Sequence, residues 1–252
     1  MFERIKRAAI SIFQTRHMPW NPLLAARVIV FSVLMMFEDR VTLDDFLRDA
    51  QTGDVVVMIS DSFMSFMQTF WTSGYASHVG IVYRKKSGRV LIYESTLRED
   101  GIVDELTGTV KSGPMLIDGA TRIKRYLDEH GFSVRWRRVH HSMPDTKRGV
   151  RRALRRYMKE HTHYKFEDGV APLLFARADH LRGLPIFNRS EGVRPGHIFC
   201  SMLMAENYTK FGWLHPDRHP STYCPSDFCE YTQNLPLING VMLGPEQRVF
   251  YY

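Results

Sequence analysis

The sequence predicts an α+β domain, chiefly because the spacing of its apolar residues changes along the chain. Up to about residue 50 the apolar residues follow helical spacing, whereas from "TGD" at 52–54 they form the short runs of buried strands. Helical spacing returns at 199–212. With 252 residues, 44% of them hydrophobic, the chain can bury a core of its own. We expect an N-terminal helical extension (1–50), one α+β domain (51–235) and a C-terminal tail (236–252) packed on that domain.

The first 50 residues predict three helices. Residues 2–16 alternate apolar and basic positions at helical spacing, which indicates an amphipathic helix that packs on the domain or lies on a membrane surface. Residues 23–37 are expected to form a second helix, too short to cross a bilayer because a span needs roughly 20 residues. The third is "VTLDDFLRDA", in which Thr42 and Asp45 are placed as a capping box.

The central region predicts an antiparallel sheet or partial barrel from about residue 53 to 140. The stretches "DVVVMIS", "HVGIVYR" and "RVLIYES" are apolar runs of strand length, and further strands are expected at 108–117 and 133–140 with a helix at 121–130 between them. A long helix follows from residue 146 to about 160. Its apolar residues lie on one side, and five arginines surround the rest.

One histidine and one glutamate interrupt neighbouring apolar strands. His78 begins "HVGIVYR" and Glu94 lies near the end of the next strand. The loop at 86–88 suits a three-residue hairpin with Gly88 in the left-handed conformation, which sets Gly80 opposite Glu94. His78 and Glu94 then share one face of the sheet as diagonal neighbours. The carboxylate would orient the imidazole and keep it basic, as a general base requires.

Cys200 follows the turn "RPGH" and opens the helix at 199–212. A thiol at a helix N-terminus is favoured as the thiolate by the helix dipole and by unpaired N–H groups, which also supply part of an oxyanion hole. A small buried core residue is the commoner role of cysteine, so for Cys200 alone both interpretations stay open. With His78 and Glu94, however, it completes a Cys-His-acid set suited to nucleophilic acyl transfer.

The stretches "GDVVVMIS", "SHVGIVY", "VLIYES", "FCSMLMAENY" and "PSDF" resemble the circularly permuted papain-like hydrolases of the NlpC superfamily. The resemblance is to the YiiX-like group, which includes poxvirus members and is related to lecithin:retinol acyltransferase, and it covers about residues 50 to 230.

The resemblance implies a permuted papain-like fold in which the nucleophile helix packs against the sheet. It matches Gly53 and Asp54 to the opening of the first strand, and Cys200, His78 and Glu94 to the catalytic residues. It implies a cysteine hydrolase or acyltransferase that acts on an amide or ester bond without a cofactor. Met202 departs from the motif, which frequently has glutamate there.

Two non-catalytic interpretations compete with this one. The segment "HPDRHPSTYCPSDFC" contains four residue types that bind zinc, so a structural zinc site is an alternative; these residues are His215, His219, Cys224 and Cys229. The other alternative is a binding module that uses the basic helix "KRGVRRALRRYMK". A net charge of +7 and a pI near 9.4 favour anionic partners. Aromatic residues are sparse between the arginines, which favours membrane over nucleic acid.

The cysteine content bears on the compartment. Three cysteines, all after residue 199, are too few and too close together in the sequence to stabilise a fold of this size by disulfide bonds. An odd number also leaves one cysteine unpaired. We therefore expect a reducing, cytoplasmic setting, with peripheral membrane contact through the basic amphipathic segments. Those segments also favour a lipid as the expected substrate.

Overall fold

The computed structural model describes residues 39–60, 76–99, 101–141, 146–167, 194–230 and 235–252; the helices expected at 2–16 and 23–37 lie outside them. The described chain is a mixed α+β fold. Its strands are β1 (Asp39–Thr42), β2 (Val55–Ser60), β3 (His78–Arg84), β4 (Val90–Thr96), β5 (Gly113–Asp118), β6 (Gly131–His140), β7 (Lys165–Phe166), β8 (His197–Ile198) and β9 (Met242–Phe250). Its α-helices are α1 (Leu43–Asp49), α2 (Gly119–Arg125), α3 (Thr146–Glu160) and α4 (Cys200–Lys210). None of these described helices is both long and apolar enough to span a bilayer.

Seven strands form one open sheet in the order β1-β9-β6-β2-β3-β4-β5. All neighbours are antiparallel except β1 and β9, which are parallel, so the sheet is mixed and the described strands do not close a barrel. The expected strands β2 to β6 are present. The two strands at one edge were not predicted, and β9 contains Gly244 and Pro245, residue types that are depleted in strands.

The β3–β4 hairpin has the register that its loop predicts. Lys85 N donates to Arg89 O at 2.9 Å, Gly88 N donates to Lys85 O at 3.0 Å, and Gly88 has a φ of 90°. Ile81 lies opposite Tyr93. The next pair in the same register, away from the loop, is therefore Gly80 with Glu94, as predicted. The local turn therefore sets which side chains of the two strands share a face.

The two faces of the sheet pack against different helices. One apolar cluster joins odd-numbered residues of β3 and β4 to α3 and α4; it includes Val79, Ile81, Leu91, Tyr93, Leu154, Leu203 and Met204. The other joins even-numbered residues to α1 and α2; it includes Phe46, Val82, Ile92 and Ile123. Because side chains alternate along a strand, Glu94 belongs to the face covered by α2.

The Gly53 and Asp54 pair anchors the start of β2. The buried Asp54 carboxylate accepts hydrogen bonds from Gln51 N (2.9 Å), Trp136 Nε1 (2.9 Å) and Val139 N (3.0 Å). Gly53 has a φ of 105°, and a Cβ there would lie 2.6 Å from the ring of Trp213, so only glycine fits. In this structure the pair joins β2 to β6.

Candidate active site

His78 and Glu94 lie beside each other, as the hairpin register predicts. His78 is the first residue of β3, its side chain is 14% exposed, and its Nε2 lies 3.3 Å from Glu94 Oε2. Gly80 makes room for this contact because a Cβ there would lie 3.4 Å from the Glu94 Cβ and 2.7 Å from Ile92 Cγ2. The carboxylate therefore contacts one ring nitrogen and leaves the other for a second partner.

Arg122 on α2 holds the far side of the Glu94 carboxylate. Its Nε lies 2.8 Å from Glu94 Oε1, and its Nη1 donates to Glu99 Oε2 at 2.9 Å. The Arg122 side chain is 2% exposed and that of Glu94 is fully buried. The sequence pattern did not predict a role for this arginine. It is one of 34 basic residues, and nothing local distinguishes it from its neighbours on the expected helix at 121–130.

The charges around Glu94 keep it ionised. Burial by itself raises the pKa of the carboxyl, but the charge of Arg122 and then that of His78 outweigh it and lower the pKa to about 2. A carboxylate that is charged throughout the physiological range attracts a protonated imidazole.

Cys200 is the second partner of the His78 ring. It is the first residue of α4, is 4% exposed, and lies close enough to the imidazole to interact with it electrostatically. Burial lowers the pKa of His78, but the charges of Cys200 and then Glu94 outweigh it and raise the pKa to about 10. Because Nε2 faces Glu94 at 3.3 Å, we expect Nδ1 to face the sulfur. The structure thus brings the three predicted residues together, with an imidazolium at neutral pH.

Side-chain hydrogen bonds fix the chain on both sides of the sulfur. Ser95 Oγ donates to Ile198 O at 2.7 Å, and Ser201 Oγ donates to Tyr223 O at 2.8 Å. The N-cap residue, Phe199, has no side-chain oxygen to cap the helix, so the first N–H groups of α4 remain available to an external acceptor. An oxyanion formed at the sulfur would lie beside these donors.

The four residues weighed as zinc ligands do not assemble. His219 Nδ1 shares a hydrogen bond with Ser221 Oγ at 2.7 Å, and Cys229 Sγ donates to Pro225 O at 3.9 Å. The described residues include all four, and no three His, Cys, Asp or Glu side chains among them could hold one ion. The described residues therefore offer no grouping of these four side chains that supports the zinc alternative. All three cysteines are free thiols.

The fold and the site define a mixed α+β domain with a buried Cys-His-Glu cluster at one end of its sheet. Among solved structures, the chain is similar to the metalloprotein YiiX (DUF1105) of Escherichia coli O157:H7, with a TM-score of 0.36 and 17% identity over 77% of this chain and 89% of that one. This likeness is too loose to establish a family. No protein-family model and no curated protein matches the chain.

The raised pKa of His78 and the lowered pKa of Glu94 predict how stability depends on pH. His78, with a folded pKa of about 10 against 6.5, contributes stability that is complete below pH 6.5 and is lost as the pH rises towards 10. Glu94, with about 2 against 4.5, contributes stability that is complete above pH 4.5 and is lost as the pH falls towards 2. Urea unfolding of the wild-type chain should therefore show decreasing stability from pH 6.5 to 10, and His78→Gln should flatten that decrease. An equally steep decrease in the variant would show that His78 has an ordinary pKa.

Proposed function

We propose that the chain is a cysteine hydrolase or acyltransferase that cleaves an amide or ester bond with Cys200, His78 and Glu94. The observation that carries the proposal is the imidazole lying between a thiol at a helix N-terminus and a buried, ionised carboxylate. This is the arrangement of a nucleophile, its base and a group that orients the base. Arg122 supports it by holding the carboxylate in place.

In the first half-reaction, the Cys200 thiolate attacks the carbonyl carbon of the substrate and forms the carbon–sulfur bond. The negative charge that develops on the carbonyl oxygen is stabilised by the backbone N–H of Cys200 at the start of α4. His78 then donates its Nδ1 proton to the leaving amine or alkoxide, the original bond breaks, and an acyl thioester remains.

In the second half-reaction, neutral His78 accepts a proton from the incoming nucleophile, which attacks the thioester. Water as the nucleophile gives a carboxylic acid, whereas an alcohol or amine gives a transferred acyl group. The carbon–sulfur bond breaks, and the thiolate and imidazolium are restored. Throughout, Glu94 fixes the ring and offsets its positive charge.

The same proposal includes the fold, which we assign as a permuted papain-like fold. The motifs resemble permuted papain-like hydrolases, and the packing of α4 against β3 and β4 is consistent with a nucleophile helix on an antiparallel sheet. Relatives of that superfamily act on peptide amides and on lipid esters. The basic amphipathic segments favour a lipid ester as the substrate.

A trapped acyl-enzyme tests the proposal. Mixing the protein with p-nitrophenyl esters of increasing acyl length should release a burst of about one equivalent of p-nitrophenol, with the acyl mass on Cys200. Cys229→Ala is the matched control because Cys229 is also buried and its thiol donates to Pro225 O; its burst should be unchanged. A steady release without a burst, or acyl groups spread over all three cysteines, would contradict a thioester mechanism.

A further inference from the structure

Helix α3 exposes a continuous row of basic side chains. Its buried side consists of Val150, Leu154, Tyr157 and Met158. The opposite side carries six exposed or half-exposed basic residues, here called the basic stripe: Arg148, Arg151, Arg152, Arg155, Arg156 and Lys159. At 3.6 residues and 5.4 Å per turn, they span an arc of about 140° and roughly 16 Å of helix length.

The charges of the basic stripe are largely free. Elsewhere in the described residues, several arginines lie against carboxylates, as Arg89 does with Glu105 at 2.8 Å and Arg125 with Glu129 at 2.8 Å. On the stripe, the ion pair among described residues is that of Arg156 with Glu160, at 3.9 Å. Four adjacent arginines that face the same way without carboxylates repel one another, and an external anion relieves that repulsion.

The chemistry of the stripe points to phosphate groups presented on a plane. Five of its six cations are arginines, whose guanidinium groups pair with phosphate through two hydrogen bonds. The exposed face has no aromatic residue to stack on a base and no asparagine or glutamine to contact base edges. A band of cations along one side of a helix can face a flat array of headgroups along the whole length of the helix.

We infer that the basic stripe docks the protein on an anionic phospholipid membrane, with α3 parallel to the surface. The stripe lies away from Cys200, since the buried side of α3 faces α4, where Tyr157 OH donates to Glu206 Oε2 at 2.6 Å. The inference therefore goes beyond the proposed function and holds whether or not Cys200 is a nucleophile. Each cation near an anionic surface increases binding about fivefold, and salt weakens the attraction.

Sedimentation with lipid vesicles tests the docking surface, using the full chain with Cys200→Ala so that lipid turnover cannot interfere. The stripe variant replaces four unpaired arginines with glutamine: Arg148, Arg151, Arg152 and Arg155. The matched control replaces four exposed cations on other elements with glutamine: Arg40, Lys86, Lys124 and Arg138. Both changes lower the net charge from +7 to +3, so they differ in the position of the lost charges and not in their number.

The Cys200→Ala protein with an intact basic stripe should bind vesicles of phosphatidylcholine with phosphatidylglycerol. It should not bind vesicles of phosphatidylcholine alone. We expect the stripe variant to bind at least about thirtyfold more weakly and the control less than about threefold, with binding lost towards 1 M salt. Equal weakening in the two variants, or binding to neutral vesicles, would overturn the inference. So would displacement from the vesicles by duplex DNA at equal phosphate concentration, which would assign the stripe to nucleic acid.

Discussion

Replacing Cys200 with alanine should lower p-nitrophenyl ester turnover by at least about 10⁴-fold, because Cys200 is the proposed nucleophile and alanine cannot form the acyl intermediate. The side chain is small and lies at the first position of α4, where alanine fits without a clash. The thermal unfolding midpoint should therefore stay within a few degrees of the wild-type value.

The matched change is Cys224→Ala, which removes a thiol of similar burial that does not contribute to the raised pKa of His78. Its turnover should stay within about threefold of wild type. If Cys200→Ala were as active as Cys224→Ala, a non-catalytic role would be the better account, and the protein would act as a binding module.

Replacing Arg122 with methionine should lower the free energy of unfolding by about 3 to 5 kcal/mol, measured by urea denaturation at pH 7. Methionine keeps most of the buried aliphatic volume but removes the charge that both Glu94 and Glu99 face. The fully buried Glu94 carboxylate would then lose its main compensating charge. Below about pH 4 the loss should shrink, because protonation of the uncompensated carboxyl removes the buried charge.

Arg125→Met is the control on the same helix. Arg125 pairs with Glu129 at 2.8 Å in partly exposed surroundings, so its loss should cost no more than about 1 kcal/mol. A stability loss in Arg122→Met that stays constant down to low pH would mean that Arg122 acts through packing and not by balancing the charge of Glu94.

The hairpin is where the sequence was most informative. A three-residue loop with Gly88 determines the pairing of β3 with β4, and that pairing places His78 next to Glu94 without any tertiary information. Likewise, the turn before Cys200 and the apolar spacing after it were enough to predict α4 and to place the thiol at its first residue. Both are local rules, acting over a few residues.

Arg122 and the sheet edge required knowledge of the tertiary structure. Arg122 forms an ion pair with Glu94 because α2 packs on the face of β4 that carries the even-numbered side chains. No local sequence pattern predicts which helix covers which face of the sheet. The edge pair β1 and β9 is separated by about 200 residues, and β1 has only four residues within a stretch dominated by helical spacing. For this reason the sequence predicted a C-terminal tail at 236–252, where the structure has strand β9 of the sheet.

Selective alkylation tests the proposed pairing of the Cys200 sulfur with the His78 imidazole most directly. The protein is treated with limiting iodoacetamide at pH 6, where an ordinary thiol with a pKa near 8.5 is less than about 1% ionised, and each cysteine is quantified by peptide mass spectrometry. We predict that Cys200 reacts at least about 100-fold faster than Cys224 and Cys229, and that His78→Ala removes this advantage. Equal rates for the three cysteines, or a Cys200 advantage that survives His78→Ala, would contradict the pairing of sulfur and imidazole.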